Sequence, residues 1–280
     1  MQGKVVVITG GTSGIGQVSA EALAAKGARI VLVARSKNRG EATLARLREI
    51  APGQAHSIHY GDVSLLVDLH RLAKEIGSSQ PRIDVLINNA GAMFGQRQIT
   101  PDGLELTFAT NHMSYFILSN GLREQLAAAG TARIINTSSH AHYRGKIDFD
   151  DLQLERGYKS FPAYCGSKLC NVLFTRVLAR RLAASGVTAN SLHPGFVNTR
   201  FGDQSGGWIG RIFGVMKLMA ISPAKGAETI IYLASSDEVA KTSGLYFYKC
   251  KPVEPSKLAQ DDVAADRLWS ETAKLAGIKE

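Results

Sequence analysis

The sequence has little cysteine, no long apolar run and no dense run of charge of either sign. Three cysteines, Cys165, Cys170 and Cys250, occur among 280 residues, and no two of them form a CxxC pair. An odd number of cysteines without such pairs favours neither a disulfide framework nor a cysteine-based zinc site. We therefore expect a protein of a reducing compartment, for which the cytoplasm fits best.

Signals for membrane insertion and secretion are also missing from the pattern. No apolar run approaches the roughly 18 residues that a spanning helix needs. The chain passes from Met1 almost directly into the apolar run at 5–8, which leaves no room for the basic and apolar regions of a signal peptide. We expect a cytoplasmic protein, either soluble or in peripheral contact with a membrane.

Basic residues outnumber acidic ones, 33 to 24, for a net charge of +9. Such a balance suits nucleic acid, an anionic membrane surface or an anionic cofactor. The cations are scattered and interleaved with acids, as in RLAKEIG at 71–77, and no aromatic platform for bases accompanies them. We therefore expect no nucleic-acid partner.

The chain does contain a regular alternation of short β-branched runs and longer helical segments. The strand candidates are KVVVIT, RIVLVA, HSIHY, IDVLIN, ARIINTS and VTANSLH, and the helix candidates are 14–26, 39–50, 65–76, 104–129 and 161–185. This alternation predicts one α/β domain over 1–280, a doubly wound Rossmann fold whose parallel sheet of about seven strands carries helices on both faces. Residues 200–222 interrupt the pattern and are predicted to form a lobe over the sheet. Ligands of such sheets bind beyond the carboxyl ends of the strands.

A glycine-rich loop, TGGTSGIG at 9–16, joins the first strand to the first helix. Glycines at this place allow a tight turn and let backbone N–H groups approach a pyrophosphate, which the helix dipole favours. A tight turn without a ligand is the alternative. The cofactor-binding candidates in the loop are Gly10, Thr12, Ser13, Gly14, Ile15 and Gly16.

A tyrosine and a lysine, Tyr164 and Lys168, lie four residues apart in a helical segment and can share one face. A free tyrosine has a pKa near 10, too high for efficient proton transfer at neutral pH. At 4 Å and an effective dielectric near 20, an ammonium would stabilise the phenolate by about 4 kcal/mol, although burial opposes this. The pair is therefore predicted to be a tuned proton donor and acceptor. An exposed aromatic beside a salt-bridged lysine is the alternative.

The glycine spacing GxxxGxG, NNAG at 88–91 and YCGSK at 164–168 together resemble the short-chain dehydrogenase/reductase family. The motifs follow the family's order from about residue 4 to residue 247. Within the family, NTSSHAHYRGKIDFDDL, AYCGSKLCNVLFTRVLARRL and SLHPGFVNT are most similar to the retinol dehydrogenase and related carbonyl reductase group. The resemblance implies an oxidoreductase that uses a nicotinamide cofactor.

The resemblance also implies roles for the catalytic candidates. Tyr164 would exchange a proton with the reacting oxygen, and Lys168 would also hold the nicotinamide ribose. Ser139 would hydrogen-bond the reacting oxygen, with Ser138 left open as the alternative. Asn111 would support a water path to the lysine, or else it satisfies a bend in the long helix.

We expect NADP(H) rather than NAD(H). An NAD site carries an acidic side chain about 20 residues past the glycine loop, whereas the second strand here ends with Ala34 and Arg35. Arg35 can form charge-assisted hydrogen bonds to a 2′-phosphate. The alternative is that it is simply a solvated cation at the start of a helix. By resemblance, the remaining cofactor contacts are Asp62 and Val63 at the adenine, Asn89, Ala90 and Gly91 near the ribose, and Pro194, Gly195, Val197 and Thr199 at the carboxamide. A helix cap is an alternative or additional role for Asp62.

The expected substrate is a small lipophilic alcohol or carbonyl. The segment 208–221 is apolar at helical spacing and suggests a cover for such a substrate. Peripheral membrane contact through the same segment and a plain core or subunit contact are the alternatives. Apolar stripes on the tyrosine helix and on 104–129 suggest a homodimer or homotetramer, or else they belong to the core.

Two other functions stay open, and no metal site is expected. His140 and His142 have no carboxylate or cysteine partner at a metal-binding spacing. A nucleotide-binding redox sensor without turnover would keep the same fold. A sugar-nucleotide epimerase or dehydratase would use the same tyrosine and lysine.

Overall fold

The computed structural model describes residues 1–195 and 221–278, and a single mostly parallel sheet lies at its centre. The strands are β1 Val5–Thr9, β2 Arg29–Ala34, β3 Ser57–Tyr60, β4 Val85–Asn88, β5 Arg133–Thr137, β6 Thr188–His193, β7 Tyr246–Tyr248 and β8 Lys251–Val253. Their order across the sheet is β3-β2-β1-β4-β5-β6-β7-β8, and only the β7–β8 pair is antiparallel. The predicted α/β Rossmann fold is confirmed.

Helices connect the strands and lie on both faces of the sheet. They are α1 Gly14–Ala25, α2 Lys37–Ile50, α3 Leu66–Ser79, α4 Leu106–Phe108, α5 Ser114–Gly121, α6 Arg123–Ala127, α7 Ser160–Arg181, α8 Pro223–Ser235 and α9 Asp262–Ala276. Short 3₁₀ turns occur at His140–Arg144, Ala183–Ser185, Asp237–Val239 and Lys257–Gln260. No helix within 1–195 or 221–278 is long and apolar enough to span a bilayer.

The prediction of one continuous helix over 104–129 is wrong. The segment is divided into α4, a π-helical turn at Ala109–Met113, α5 and α6. The π turn contains Asn111, whose side chain bonds to groups outside its own helix. These tertiary contacts override the helical period of the segment. π turns of this kind are frequent at functional sites.

The core consists of two apolar layers, one on each face of the sheet. Alternate residues of β1 point to opposite layers, with Val7 in one and Val6 and Ile8 in the other. Because both faces are buried, the central strands read as continuous apolar runs.

The apolar stripe of α7 lies inside the core. Phe174 stacks on Trp269 of α9 with ring centroids 5.7 Å apart, and Phe116 of α5 lies 4.8 Å from the same indole. The stripes on α7 and on the segment 104–129 therefore have partners within the chain. They belong to the core, which is the alternative that the sequence pattern left open.

A tight hairpin ends the sheet. Lys249 and Cys250 form its turn with φ values of 49° and 60°, the left-handed conformation that a two-residue type I′ turn requires at both positions. The hairpin pairs Tyr248 with Lys251 and Phe247 with Pro252. β8 thereby becomes the edge strand beside β7.

Candidate active site

The glycine loop packs tightly against itself at the carboxyl end of β1. Gly10 has a φ of +67°, which favours glycine, and a Cβ on Gly16 would lie 2.2 Å from the carbonyl oxygen of Gly10. α1 begins at Gly14, and the preceding Ser13 makes no side-chain cap. The first N–H groups of α1 are therefore not hydrogen-bonded by the side chain of the N-cap residue, and they are available to a pyrophosphate.

Hydrogen bonds join this loop to the segment that follows β4. The Thr9 hydroxyl accepts from the backbone N–H groups of Asn89 and Ala90, both at 3.0 Å. The Asn89 amide in turn donates to the carbonyls of Thr9 and Gly10 at 3.3 Å. The predicted Asn89, Ala90 and Gly91 are thus brought beside the glycine loop. The role of Thr9 was not predicted, because it depends on pairing across the sheet.

Arg35 lies just beyond β2 and reaches the end of β3. Its guanidinium is 3.3 Å from a carboxylate oxygen of Asp62, and 61% of its side chain is exposed. Asp62 also accepts from the N–H and hydroxyl of Ser64, forming a turn before α3. Burial would raise the pKa of Asp62, but the bonds from Ser64 and the charge of Arg35 outweigh it, so the pKa is lowered. Val63 packs against the core.

The structure separates the two candidate serines after β5. Ser138 is buried and donates its hydroxyl to the main-chain carbonyl of Lys168 at 2.7 Å. Ser139 is half-buried, and its hydroxyl hydrogen-bonds the phenol of Tyr164. The Ser139 hydroxyl also accepts from the Ala141 N–H at 3.2 Å. Ser139 is therefore the serine that faces the tyrosine.

Lys168 is buried on the tyrosine face of α7. Its ammonium donates to the carbonyl of Thr137 at 3.0 Å and lies 5.6 Å from the centre of the Tyr164 ring. Burial lowers the pKa of Lys168 to about 7. A Cβ on Gly91 would be 3.3 Å from the amine and 3.2 Å from the Asn111 amide oxygen. A side chain at this position would therefore require the amine or the amide to shift by a few tenths of an ångström.

The expected lowering of the tyrosine pKa by its lysine neighbour is wrong for this structure. Burial dominates and raises the pKa of Tyr164 well above its ordinary value, although the bond from Ser139 opposes the rise. The same burial disfavours the charged form of Lys168. The phenol is accordingly protonated at neutral pH.

Asn111 connects three parts of the site. Its amide oxygen accepts from the Ala92 N–H at 2.8 Å, and its amide nitrogen donates to the Ala92 carbonyl and the Ser167 hydroxyl, both at 2.9 Å. Ser167 belongs to α7, next to Lys168. The asparagine therefore ties the loop after β4 to the tyrosine helix.

Imidazole and phenol rings surround the site beyond the ends of β5, β6 and β7. His193 stacks on Tyr248 at 5.1 Å, and His140 lies 5.8 Å from His193 and 4.7 Å from Tyr143. No cluster suited to a metal ion occurs in the described part of the chain. No spacing in the sequence indicated that these rings meet, because they come from three separate strand ends.

The segment between Ser139 and Tyr164 contacts the loop that follows β4. Tyr158 donates to the Phe94 carbonyl at 2.8 Å. Beyond β6, Pro194 and Gly195 follow at the same edge of the sheet, with Gly195 at a φ of +93°. The predicted Val197 and Thr199, and residues 200–220 of the predicted lobe, lie outside the described residues.

The sequence profile described as "short chain dehydrogenase" matches residues 4–209. The chain belongs to the short-chain dehydrogenase family. Human retinol dehydrogenase 13 is 40% identical to this dehydrogenase, over 99% of the chain and 86% of the relative. Human retinol dehydrogenase 12 is 36% identical, over 100% of the chain and 88% of the relative.

Solved structures agree with this assignment. An uncharacterised protein of Mycobacterium paratuberculosis superimposes with a TM-score of 0.80 at 32% identity, covering 99% of this chain and 95% of that one. The Pseudomonas aeruginosa RhlG/NADP active-site complex gives a TM-score of 0.70 at 26% identity, covering 88% and 94%. The dehydrogenase is thus an oxidoreductase that acts on CH–OH groups.

Proposed function

We propose that this dehydrogenase uses NADP(H) to interconvert a lipophilic alcohol and its aldehyde or ketone, with Tyr164 as proton donor and acceptor. The observation that carries the proposal is the Tyr164 phenol, hydrogen-bonded to Ser139 and adjacent to the buried Lys168 at the carboxyl edge of the sheet. Parallel sheets of this kind bind their ligands at that edge.

The residues of the site would act on the reacting oxygen in a defined way. Bound NADP(H) supplies or takes up the hydride. In reduction, Tyr164 gives its proton to the carbonyl oxygen while the Ser139 hydroxyl donates a hydrogen bond to the same atom. In oxidation, Tyr164 takes the alcohol proton. The raised pKa of Tyr164 keeps the phenol in the protonated form that can donate, although the same rise makes it a weaker acid than an ordinary tyrosine.

The preference for NADP(H) is supported by Arg35. The guanidinium is largely exposed at the end of β2. Its ion pair with Asp62 lies at the surface and stabilises the fold little. Arg35 can therefore turn toward a 2′-phosphate at small cost, and a bidentate contact with phosphate suits arginine. The NADP complex among the similar structures adds support.

The lipophilic substrate is supported by the names of the similar proteins and by the rings around the site. Both human relatives described above are named retinol dehydrogenases. The rings of Tyr143, His140 and Tyr248 offer flat, mainly apolar surfaces near the catalytic edge. We further propose that the lobe at 200–222 covers the substrate, because its segment 208–221 is apolar at helical spacing.

The test is NADPH oxidation against aldehydes and ketones graded from short polar to long apolar, with retinal included. Turnover should rise with apolar length and fall at least about 10³-fold in Tyr164→Phe, which removes the proton donor. Tyr232→Phe is the matched control, because Tyr232 lies on α8 and its hydroxyl donates to Glu238 in the following 3₁₀ turn, away from the site. It should retain the wild-type rate.

Two results would contradict the proposal. Faster turnover of sugars or hydroxy acids than of apolar aldehydes would refute the lipophilic substrate. Tight NADPH binding without turnover of any carbonyl would instead support the nucleotide-binding sensor.

A further inference from the structure

His142 is a completely buried histidine in the 3₁₀ turn that follows Ser139. Its Nδ1 lies 2.7 Å from the Ser139 carbonyl oxygen, and its backbone N–H donates to the same oxygen at 3.1 Å. On the other side of the ring, the backbone N–H of Ser256 donates to Nε2 at 3.1 Å. The imidazole thus bridges the serine that faces Tyr164 and a segment 114 residues further along the chain.

The two bonds determine the tautomer of the ring. A carbonyl oxygen can only accept, so Nδ1 must carry a hydrogen, and a backbone N–H can only donate, so Nε2 must be bare. His142 is therefore neutral with its proton on Nδ1. Burial, together with the nearby His140, lowers the pKa of His142, while the bond to Ser139 opposes the shift.

The segment after β8 holds this turn at a second point. The hydroxyl of Tyr143 donates to the Glu254 carbonyl, and the Tyr143 ring lies 4.2 Å from that of His142. The Tyr246 ring of β7 packs edge-on against His142 at 4.6 Å. The imidazole has little freedom to rotate, so the Ser139 carbonyl that it holds has little freedom either.

We propose that His142 is a positioning residue, which fixes the main chain of Ser139 from its Nδ1 side and thereby aims the Ser139 hydroxyl at Tyr164 and the reacting oxygen. The proposal rests on the proposed function for its effect on turnover. The hydrogen bond from Nδ1–H to the Ser139 carbonyl does not depend on the identity of the substrate, so this part of the proposal can be tested separately.

Two amide variants each keep one of the two hydrogen bonds of the imidazole and remove the other. In His142→Asn the amide nitrogen occupies the place of Nδ1 and can still donate to Ser139, whereas the bond from Ser256 is lost. In His142→Gln the amide oxygen reaches the place of Nε2 and can accept from Ser256, whereas the bond to Ser139 is lost. Each variant loses one buried hydrogen bond, so comparable losses of stability are expected.

The two variants should nevertheless differ in catalysis. We expect kcat to fall about tenfold or more in His142→Gln and to stay within about threefold of wild type in His142→Asn, with KM little changed in both. When Ser139 is already alanine, His142→Gln should lower kcat further by less than about twofold, because the hydroxyl that His142 positions is already absent. Equal losses of kcat in the two variants, or additive losses in the double variant, would overturn the proposal.

His56→Gln is the matched control for loss of a buried histidine contact. The Nδ1 of His56, in the loop between α2 and β3, accepts from the Ile30 N–H of β2 at 3.0 Å, away from Ser139. This variant should melt at a lower temperature and keep the wild-type kcat. A comparable loss of kcat in this variant would show that a generally loosened fold explains the effect of His142→Gln.

Spectroscopy tests the same proposal without turnover. In ¹⁵N-histidine spectra, His142 should show a protonated Nδ1 and a bare Nε2. In ¹³Cζ-tyrosine spectra, assigned with Tyr164→Phe, the Tyr164 signal should move in His142→Gln and keep its position in His142→Asn. An Nε2–H tautomer would refute the proposal whether or not the panel finds a substrate. If none of the aldehydes and ketones is turned over but these spectra are as expected, only the proposed function is refuted.

Discussion

The side-chain amide of Asn111 makes two hydrogen bonds with the main chain of Ala92, one in each direction. This brace fixes the segment after β4 next to the tyrosine helix. Asn111→Ala removes both bonds and leaves the part-buried main-chain N–H and carbonyl of Ala92 without these partners.

We expect Asn111→Ala to lower the free energy of unfolding by about 1–3 kcal/mol and to weaken NADPH binding. Urea unfolding and fluorescence titration measure the two effects. Asn120→Ala, which removes one bond to the Phe116 carbonyl at 2.8 Å within a single helix, is the control. If the two variants had the same stability and the same NADPH affinity, the brace would have no special role.

Lys168 predicts a pH dependence of stability in the protein without cofactor. Its pKa is about 7 in the folded state against an ordinary 10.5, because burial disfavours the ammonium. Between these values the unfolded chain binds more protons, so stability rises with pH, by at most about 1.4 kcal/mol per pH unit from this group. Lys168→Met should flatten the rise between about pH 7 and pH 9.5. Urea unfolding across that range measures it, and parallel curves for wild type and variant would contradict the shift. Lys26→Met, at an exposed position, should follow the wild-type curve.

Arg35 predicts a change of cofactor preference without a change of fold. Arg35→Ala should raise the Kd for NADPH about 10–100-fold and leave that for NADH within about threefold, because only NADPH carries the 2′-phosphate. Stability should change by less than about 1 kcal/mol, since the Asp62 pair is exposed. Arg46→Ala, which breaks another exposed pair with Glu21, is the control. Equal losses for NADPH and NADH would show that Arg35 does not read the phosphate.

Gly16 predicts that a single methyl group closes the glycine loop. In Gly16→Ala the new Cβ would lie 2.2 Å from the Gly10 carbonyl oxygen and 2.5 Å from the Asn89 amide nitrogen. The loop or α1 must shift, so NADPH binding should be lost and the melting temperature lowered. Gly53→Ala, where nothing lies within 4 Å of the new Cβ, should leave both unchanged. NADPH binding by Gly16→Ala at wild-type affinity would exclude this loop as the pyrophosphate cradle.

We expect substitution of the two adjacent serines to have different effects, one on kcat and the other on stability. Ser139→Ala removes a hydrogen-bond donor to the reacting oxygen and should lower kcat about 10²–10³-fold with little loss of stability. Ser138→Ala removes the bond to the Lys168 carbonyl and should lower stability by about 1 kcal/mol while retaining most of kcat. Steady-state kinetics and urea unfolding of both variants decide the assignment. A larger loss of kcat in Ser138→Ala would reverse it.

Local spacing and sheet topology made much of the site predictable. Tyr164 and Lys168 share a helix face by period alone, and Ser139 reaches them because β5 ends at the same edge of the sheet as β1 and β4. The glycine loop was predictable for the same reason. A strand–loop–helix unit with glycines determines its own geometry without help from distant residues.

Long-range contacts account for what the sequence did not reveal. The break at Ala109–Met113 depends on Asn111 meeting Ala92 and Ser167, which no local pattern records. The raised pKa of Tyr164 follows from burial, which was expected to oppose the effect of the lysine but whose extent no local pattern shows. The β7–β8 hairpin escaped prediction because its turn residues, Lys249 and Cys250, are not the usual Asn-Gly or Asp-Gly.

The proline opposite Phe247 determines how the sheet ends. In a two-residue hairpin the pair next to the turn, Tyr248 and Lys251, is hydrogen-bonded, so Pro252 at the following position points its nitrogen away from β7. The only nitrogen that β8 turns outward is therefore one without a hydrogen. An incoming chain finds no main-chain donor on this strand and meets the charge of Lys251 beside it. The hairpin thus protects the protein against edge-to-edge aggregation, the hazard that an open sheet otherwise carries.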